Sequence, residues 1–560
     1  MASEEALRQA GEFGRFQYLI VAFLGLVTAP FIALVVFGHI FTLLEPPHWC
    51  HVPQLDALNL TVEQKKTLSI PKTELDGIIQ FSKCQAYEVN FTHIFLDHNG
   101  SVPKPAQWWP VADCKHGWDY DYSLIYPTVV SEMNWVCEES WKMLMCHTVF
   151  WATSAVGVIV WGTISDMYGR IPVLVITSGI AGGAGIATMF FTEFIPFLII
   201  RSVMGFVFLS LSITSFVLVI EYVVTSKRLT ASSVFQFMYP VAASVIPWVA
   251  YYLKSWRKLS LIVSVPAFTI PVFCWFMPES LRWLVSKGKD EKAKVIIARI
   301  AHINGKHLPE NYIETLKLID ISDVNKKKIT IMDLLKTSNL RKNFLLTLVV
   351  WIICSTLYVG GQMYAATVMD NPFIMTSITC FVDVLATGIS VPLADKWGRR
   401  PSMVAMFGMS SIAYFMISFV SSGNTLVIAI VAFIGRLALT TGYNAAYLHA
   451  AEVYPTVART QAMAARQTFG SIGAFLAPQI TYLAIYGKYL PLVVYSSLAS
   501  ANVFFTFMLP ETLNKDLPES LVDGENFGRN QNLCCRKLKK RNVLPLNFTQ
   551  VTIIEDDTNK

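Results

Sequence analysis

Two short stretches of the chain nearly repeat each other: SDMYGRIP at 165–172 and ADKWGRRP at 394–401. Each stretch places an aspartate, a glycine and an arginine in the same order within apolar surroundings. Asp166 and Asp395 lie 229 residues apart. This repetition predicts that the chain contains two similar halves.

Other features recur at almost the same separation. Glu221 begins EYVVTSKR and Glu452 begins EVYPTVAR, 231 residues later. A Pro-Glu pair at 278–279 returns at 510–511, at an offset of 232. Features repeated at one offset are unlikely to arise by chance, so the whole unit is predicted to be duplicated.

The composition is that of a membrane protein. The chain has 560 residues, of which 53% are hydrophobic and 15% are charged, whereas soluble domains carry about a quarter charged residues. About 20 consecutive apolar residues cross a bilayer as a helix. Twelve such runs are predicted: 17–44, 142–164, 172–191, 195–220, 229–252, 258–277, 343–367, 372–393, 402–421, 424–450, 461–485 and 489–509.

Two polar segments interrupt these runs, at 45–141 and 285–342. The second segment is rich in lysine, so the positive-inside rule predicts that it is cytoplasmic. Six spans precede it, which predicts a cytoplasmic N-terminus, a cytoplasmic tail at 511–560 and an extracellular 45–141. The predicted halves are 1–284 and 343–510. The chain has a net charge of +6, and its positive residues fall in loops between the spans, where they set the topology. This charge therefore does not indicate a nucleic-acid partner, and the expected partner is the lipid bilayer.

The predicted extracellular segment has features of a secreted domain. Its Asn-x-Ser/Thr sequences predict glycosylation at Asn59, Asn90 and Asn99. Four cysteines predict two disulfides, with three possible pairings. The cysteines are Cys50, Cys84, Cys114 and Cys137.

The predicted fold is an all-α membrane protein with twelve transmembrane helices in two pseudo-symmetric six-helix halves. Parallel six-span halves resemble those of major facilitator transporters. The repeated charges are expected to form ion pairs at the cytoplasmic face that break and reform as one half rocks on the other. The predicted gating charges are Asp166, Arg170, Glu221, Arg228, Asp395, Arg399, Arg400, Glu452 and Arg459.

A more specific resemblance runs along the chain to about residue 525. The motifs resemble those of the organic cation/anion/carnitine transporter family of the major facilitator superfamily. They are GEFGRFQ (11–17), HWCHVP (48–53), CKHGWDYDYS (114–123), GTISDMYGR (162–170), PESLRWL (278–284), AEVYPTVAR (451–459) and LPETLNKDLP (509–518). The resemblance implies a multi-pass plasma-membrane carrier of small organic ions. No enzymatic, metal-binding or cofactor-binding motif is found.

The charge of the substrate is predicted from Asp383, because ionisable groups inside membrane spans are functional candidates. The resemblance implies a carboxylate at this position. It also implies that anion carriers add a lysine four residues later and an arginine in span eleven, where this chain has Thr387 and Thr468. Arg466 lies on another face of the same helix and is not taken as a substitute. The prediction is therefore a carrier of small organic cations.

Alternatives remain open at this point. Asp383 has a possible structural partner in Arg436, and Arg201 is a second candidate for a structural role. YNAAYLHAAE at 443–452 resembles the anion branch of the family. Zwitterions, such as carnitine or amine metabolites, and organic anions are the alternative substrates.

Aromatic side chains are expected to complete the substrate site, because their faces attract cations. Amide and hydroxyl groups nearby are expected to add hydrogen bonds. The predicted substrate-binding residues, besides Asp383, are Tyr358, Tyr443, Tyr447, Phe235, Trp151, Gln236, Asn444, Thr468 and Gln362.

Overall fold

The computed structural model describes residues 2–529, except 59, 76–77, 92–93, 95–104, 107, 309–330, 369–370, 421–424, 488 and 516. Within this part of the chain, twelve helices are long and apolar enough to cross a membrane, which confirms the predicted fold class. Spans 1 to 12 are Arg15–Thr42, Cys137–Tyr168, Arg170–Phe190, Phe194–Glu221, Ala231–Leu253, Trp256–Cys274, Ser338–Ala365, Pro372–Trp397, Arg399–Phe419, Leu426–Val453, Gln461–Ile485 and Leu490–Phe507.

Some spans contain short turns of other helix types. Span 1 includes a π-helical turn at Leu24–Thr28 between Arg15–Phe23 and Ala29–Thr42. Span 6 includes a 3-10 turn at Val265–Phe268, where Pro266 cannot donate a backbone hydrogen bond. Further 3-10 turns occupy Cys137–Glu139, Thr188–Phe190 and Leu483–Ile485. The complete helices of spans 5, 7, 10 and 11 are Thr225–Leu253, Ser338–Val368, Thr425–Val453 and Arg459–Tyr482.

The segment between spans 1 and 2 contains three two-stranded antiparallel ribbons. Their strand pairs are His48–Cys50 with Trp118–Tyr120, Lys72–Leu75 with Ile78–Phe81, and Gln85–Tyr87 with Val111–Asp113. Short helices lie at Pro53–Leu55, Val62–Ser69 and Val129–Glu132. The end of the helix bundle that carries this segment is called the loop end below.

Further helices outside the bundle lie at the opposite end, which carries 165–172 and 394–401 and is called the motif end. They are Ala2–Gln9, Leu281–Ser286, Asp290–Asn304, Ile331–Lys336 and Leu521–Asn526. The side chain of Asn304 accepts a 2.9 Å hydrogen bond from the Phe16 N–H and donates to the Ala10 carbonyl at 2.9 Å. This amide ties the linker between the halves to the start of span 1.

Each half buries its own apolar core. One core includes Phe150 and Leu211, and the other includes Trp351, Phe407 and Tyr495. The halves pack on each other through spans 2 and 11 and through spans 5 and 8. The interface between the halves is therefore lined by side chains from both repeats.

Candidate functional site

Three aromatic rings form a continuous row inside the second half. Trp351 and Tyr358 lie two turns apart on span 7, and Tyr443 of span 10 packs between them. The ring centroids of Tyr443 are 4.5 Å from Trp351 and 5.2 Å from Tyr358. Tyr358 and Tyr443 were predicted to bind substrate, and the structure brings them together. We call Trp351, Tyr443 and Tyr358 the aromatic row.

Asp383 lies at one end of the aromatic row and is not a free counter-ion. The Arg436 guanidinium donates to both of its carboxylate oxygens, at 2.8 and 2.6 Å. The hydroxyls of Thr440 and Tyr358 donate to the same carboxylate, at 2.6 and 3.0 Å. Both members of the ion pair are about 4% exposed, so the charge of Asp383 is balanced within the protein.

Pairing with Arg436, the structural alternative left open above, is therefore what this structure shows, and a role of Asp383 as counter-ion to a substrate stays a prediction. Arg436 extends from span 10 towards span 8, a tertiary contact that hydropathy does not reveal. Its guanidinium also lies 4.2 Å from the centre of the Tyr358 ring and donates to the Tyr358 carbonyl. The aspartate and arginine together contribute no net charge.

The other end of the aromatic row is occupied by Arg466, which was not predicted to bind substrate. Its guanidinium lies 3.9 Å from the centre of the Trp351 ring and 5.2 Å from that of Tyr447. The side chain is 1% exposed, and one nitrogen donates to the Ala446 carbonyl at 3.2 Å. Its Nε and Nη2 have no hydrogen-bond partner among the described residues, and no carboxylate there forms an ion pair with it.

Thr468 lies on the face of span 11 opposite Arg466, and its predicted role in substrate binding stays a prediction. It is two residues from Arg466, so the two side chains point about 160° apart around the helix. Its hydroxyl donates to the Ala464 carbonyl of its own helix at 3.1 Å. The face of span 11 that turns towards span 7 carries Arg466 and Gly470. A Cβ added at Gly470 would lie 2.6 Å from Trp351 Nε1.

Other predicted polar residues surround the Asp383–Arg436 pair. The Asn444 amide donates to Thr387 Oγ1 at 3.4 Å, and the Thr387 hydroxyl donates to the Asp383 carbonyl at 2.8 Å. Gln362 donates to Thr379 Oγ1 at 3.4 Å. These residues do lie around one site.

The first half contributes less to this site than predicted. Phe235 is buried against Phe216, with ring centroids 6.0 Å apart, so it belongs to the core of its own half. Trp151 packs against Phe150 and Phe208 in the same core.

Gln236 of span 5 is exposed. Its neighbour Tyr239, which the sequence analysis did not select, lies within electrostatic range of Asp383, Arg436 and Tyr443. Tyr239 is therefore a residue of span 5 that lies close to this site.

The repeated charges form two nearly identical networks at the motif end. In the first half, Arg170 bonds Asp166 at 2.7 Å and the two Glu221 oxygens at 3.3 and 3.2 Å. In the second half, Arg399 bonds Asp395 at 2.9 Å, and three of its contacts with Glu452 lie at 3.0–3.3 Å. Among the described residues, each of these ion pairs joins groups of the same half.

Two glutamates outside the predicted gating charges complete these networks. Glu279 accepts backbone hydrogen bonds from Arg170 and Ile171, at 2.9 and 3.1 Å. Glu511 accepts the equivalent bonds from Arg399 and Arg400, at 3.0 and 3.1 Å. Each carboxylate therefore caps the positive end of a helix dipole. The repeated Pro-Glu pair was the available signal in the sequence.

Burial affects the first of these glutamates. Desolvation raises the pKa of the Glu279 carboxyl, and backbone hydrogen bonds from Ser280, Arg170 and Ile171 oppose that rise.

Gly169 and Gly398 have φ values of +117° and +102°, in the region that favours glycine. An added Cβ would lie 2.3 Å from Glu279 Oε2 at Gly169 and 2.9 Å from Glu511 Oε2 at Gly398.

The remaining predicted gating charges bind helix ends. Arg228 donates to the carbonyls of Ile220 and Val223, and Arg459 donates to the Tyr454 carbonyl. Arg400 donates to the Phe507 carbonyl, and its guanidinium lies 4.6 Å from the centre of that ring.

A family model described as "Sugar (and other) transporter" matches residues 115–521, which is more than half of the chain. The chain belongs to this family. It is a multi-pass membrane transporter with a major facilitator fold, and its curated relatives act on organic solutes.

Three relatives illustrate the similarity of this transporter to other carriers. Human "Organic cation/carnitine transporter 2" is 29% identical over 92% of this chain and 93% of that protein. The "Organic cation transporter protein" of Drosophila melanogaster is 28% identical over 94% and 95%. The "Carcinine transporter" of the same fly is 28% identical over 98% and 84%.

Solved structures show the same fold at lower identity. The proton:xylose symporter XylE bound to 6-bromo-6-deoxy-D-glucose has a TM-score of 0.57 at 16% identity, covering 91% of this chain and 99% of that one. A partially occluded inward-open form of XylE from E. coli has a TM-score of 0.56 at 15% identity, covering 88% and 98%.

The two halves of this transporter touch at the loop end through aromatic residues. Phe373 of span 8 stacks on Phe41 of span 1, with centroids 5.3 Å apart. Tyr126 and Tyr251 pack on the same ring, at 6.1 and 5.5 Å.

Hydrogen bonds reinforce this contact between the halves. The Gln479 amide donates to Thr148 Oγ1 at 2.7 Å, and the hydroxyls of Ser140 and Tyr482 lie 3.1 Å apart. These contacts join the two halves at the loop end.

The segment at the loop end is cross-linked by two disulfides. Cys50 is bonded to Cys114 and Cys84 to Cys137, which selects one of the three pairings left open by the sequence. Asn90 is exposed, whereas Asn59 and Asn99 lie outside the described residues.

Proposed function

We propose that this chain is an alternating-access carrier of small organic zwitterions in the plasma membrane. Its substrates would carry a positive amine or quaternary ammonium group together with a carboxylate. The observation that carries the proposal is Arg466, which is buried beside the aromatic row without a carboxylate partner among the described residues.

The balance of charge around the aromatic row favours a substrate carboxylate. Asp383 and Arg436 cancel each other, so Arg466 leaves the row with one net positive charge. A buried charge without a partner is costly. A substrate carboxylate supplies both the missing charge and acceptors for the Nε and Nη2 groups of Arg466.

The accessible rings favour a positive group on the same substrate. Tyr358, Tyr443 and Tyr447 are only half-buried, as is Asn444 beside them. The faces of aromatic rings stabilise ammonium groups, and quaternary ammonium ligands are commonly bound in this way. Carnitine, which appears in the name of one relative, carries one carboxylate and one quaternary ammonium group.

The arrangement of the two ends supports alternating access. Contacts between the halves close the loop end, whereas the charged networks of the motif end each stay within one half. Together with the positive-inside rule, this supports a cavity that faces the cytoplasm, with both termini on that side. The boundaries of the halves at 1–284 and 343–510 and the linker at 285–342 are part of this proposal.

Simple organic cations are the second candidate substrates. Two relatives are named organic cation transporters or organic cation/carnitine transporters. This candidate requires Asp383 to leave Arg436 when a cation binds, and the aromatic row would then act without Arg466.

Uptake into cells separates the two candidates. We expect saturable uptake of labelled carnitine, with much weaker uptake of tetraethylammonium, which has no carboxylate, and of a labelled aromatic carboxylate, which has no amine. Preferential uptake of tetraethylammonium driven by membrane potential would support simple cations instead. Uptake of the aromatic carboxylate alone would contradict both candidates.

Variants of span 11 test the role of Arg466 directly. Arg466→Gln is expected to reduce carnitine uptake about tenfold or more, since a hydrogen bond to a charged group contributes about 1.5–3 kcal/mol. Arg466→Lys should retain part of the activity. Thr468→Val is the matched control on the opposite face and should transport normally at equal surface expression. An unchanged KM for carnitine in Arg466→Gln would contradict the proposal.

A further inference from the structure

The interior of the first half contains a second arginine without a counter-ion. Arg201 of span 4 is 4% exposed. Its contacts are weak: one guanidinium nitrogen lies 3.8 Å from Met204 Sδ, and the guanidinium carbon lies 5.1 Å from the centre of the Phe197 ring. Nε has no hydrogen-bond partner, and no carboxylate among the described residues interacts with the side chain.

A histidine beside Arg201 also lacks hydrogen-bond partners. His39 of span 1 is 3% exposed, and neither of its ring nitrogens is bonded to a described residue. Its ring stacks on Phe150 at 4.8 Å and meets the edge of His147 at 4.5 Å. These contacts hold the ring in place while leaving its polar atoms unsatisfied.

Both side chains line one small cavity between spans 1, 3, 4 and 6. The cavity volume is about 10 Å³, and Ser260, Ser264 and Thr42 contribute to its wall. Ser264 donates its hydroxyl hydrogen to the Ser260 carbonyl and Thr42 donates to the Gly38 carbonyl, both at 2.6 Å. The donors left for a ligand come from Arg201, His39 and Ser260, on three different helices.

The chemistry of this cavity selects its ligand. A space of this size holds one particle comparable to a water molecule. A water molecule satisfies the hydrogen-bond donors but leaves the Arg201 charge uncompensated in the interior, which is unfavourable. A cation is repelled by Arg201, and a carboxylate-bearing solute is too large.

We propose that Arg201, His39 and Ser260 form a binding site for a single halide-sized anion, chloride under cellular conditions. The anion accepts hydrogen bonds from all three groups and neutralises the guanidinium. The site lies near the loop end, since Arg201 is seven residues from the start of span 4 at Phe194, or about 10 Å along the helix axis. It is separate from the aromatic row, which belongs to the other half.

Thermal unfolding of the purified full-length protein tests this site. Sodium chloride would replace sodium gluconate at constant ionic strength and pH, in the same detergent. We expect Tm to rise with chloride concentration and to saturate, because a ligand that binds only the folded state stabilises it. A Tm that does not respond to chloride would overturn the proposal.

Three variants locate the effect. Arg201→Gln should remove the chloride-dependent rise in Tm. Ser260→Ala keeps the charge and should raise the chloride concentration needed for half of the effect about tenfold, the typical effect of losing a hydrogen bond to a charged group. Arg466→Gln is the control at the other unpartnered arginine and should keep the full response.

The variants also give outcomes that contradict the proposal. A chloride response that disappears in Arg466→Gln but persists in Arg201→Gln would assign the anion to the aromatic row. A response retained in all three variants would mean nonspecific stabilisation by salt. If Arg201→Gln does not fold, an unchanged response in Ser260→Ala remains sufficient to overturn the site.

Discussion

The two halves of this transporter are alike at the motif end and different in their interiors. Arg170 and Arg399 each bind an aspartate four residues earlier and a glutamate on a neighbouring span. In the interior, Arg436 is paired with Asp383, whereas Arg201 has no acidic partner among the described residues.

This difference separates what duplication preserved from what it did not. The charged turns are matched in the two halves, as expected if each half uses an equivalent turn in the proposed rocking motion. Binding a solute requires only one asymmetric site, so the interior charges are free to diverge. Three predictions test this comparison between the halves, beginning with the largest expected effect.

Neutralising Asp383 in the second half should lower the stability of the protein far more than neutralising Arg201 in the first half. Asp383→Asn leaves Arg436 buried without a counter-ion, which should destabilise the protein by about 3–5 kcal/mol. In chloride-free buffer, Arg201→Gln should be neutral or stabilising, because it removes a charge that has no partner. The measurement is Tm together with surface expression.

A double variant provides the control for this prediction. Asp383→Asn combined with Arg436→Gln should recover part of the stability, since no buried charge remains unpaired. If Asp383→Asn alone is as stable as the parent protein, the ion pair does not have the structural role described here.

Replacing the glycines of the two charged turns by alanine should destabilise the protein, and more so at the turn where the added Cβ comes closer to its neighbour. Gly169→Ala and Gly398→Ala should each cost about 1–3 kcal/mol, because alanine is strained at positive φ. Gly169→Ala should be the more damaging change, since its Cβ would come closer to the capping glutamate. Thermal unfolding and initial uptake rates measure both effects.

A helical glycine in the first half supplies the control for the turn variants. Gly179 of span 3 has nothing within 4 Å of an added Cβ. Gly179→Ala should be neutral or slightly stabilising, as alanine favours the helix. Equal tolerance of alanine at Gly169 and Gly179 would contradict the role given to the turn.

The aspartates of the two turns should give the smallest change in stability. The side chains of Asp166 and Asp395 are 75% and 58% exposed, and exposed ion pairs contribute at most about 1 kcal/mol. Asp166→Asn and Asp395→Asn should slow turnover while leaving KM nearly unchanged, because these charges act on the motion and not on the substrate. A rise in KM without loss of maximal rate would exclude the gating role.

The overall fold was accessible from the sequence because its signals are local. Each apolar run encodes its own helix, since a backbone in lipid must satisfy its hydrogen bonds internally. The repeated turn revealed the duplication without any knowledge of contacts. Even the helix ends agree closely: span 8 was predicted at 372–393 and extends to Trp397, because the charged end of a helix continues beyond its apolar run.

The candidate substrate site was only partly predictable from the sequence, because its chemistry depends on contacts between distant spans. The sequence selected Tyr358, Tyr443 and Asp383, but it did not establish that Asp383 is neutralised by Arg436. It placed Arg466 and Thr468 on different faces of one helix, yet periodicity gives only relative directions. Packing against Trp351 decided which face turns inward.

The sequence by itself therefore determined the number of spans, the duplicated plan and the family resemblance. Tertiary structure alone decided the charge of the interior. Glu279 caps a helix that begins 109 residues earlier, at Arg170, and Arg466 meets an aromatic row contributed by two other spans. Such partners are brought together by folding, and pairwise electrostatics in a buried site depends on those distances and not on the order of residues.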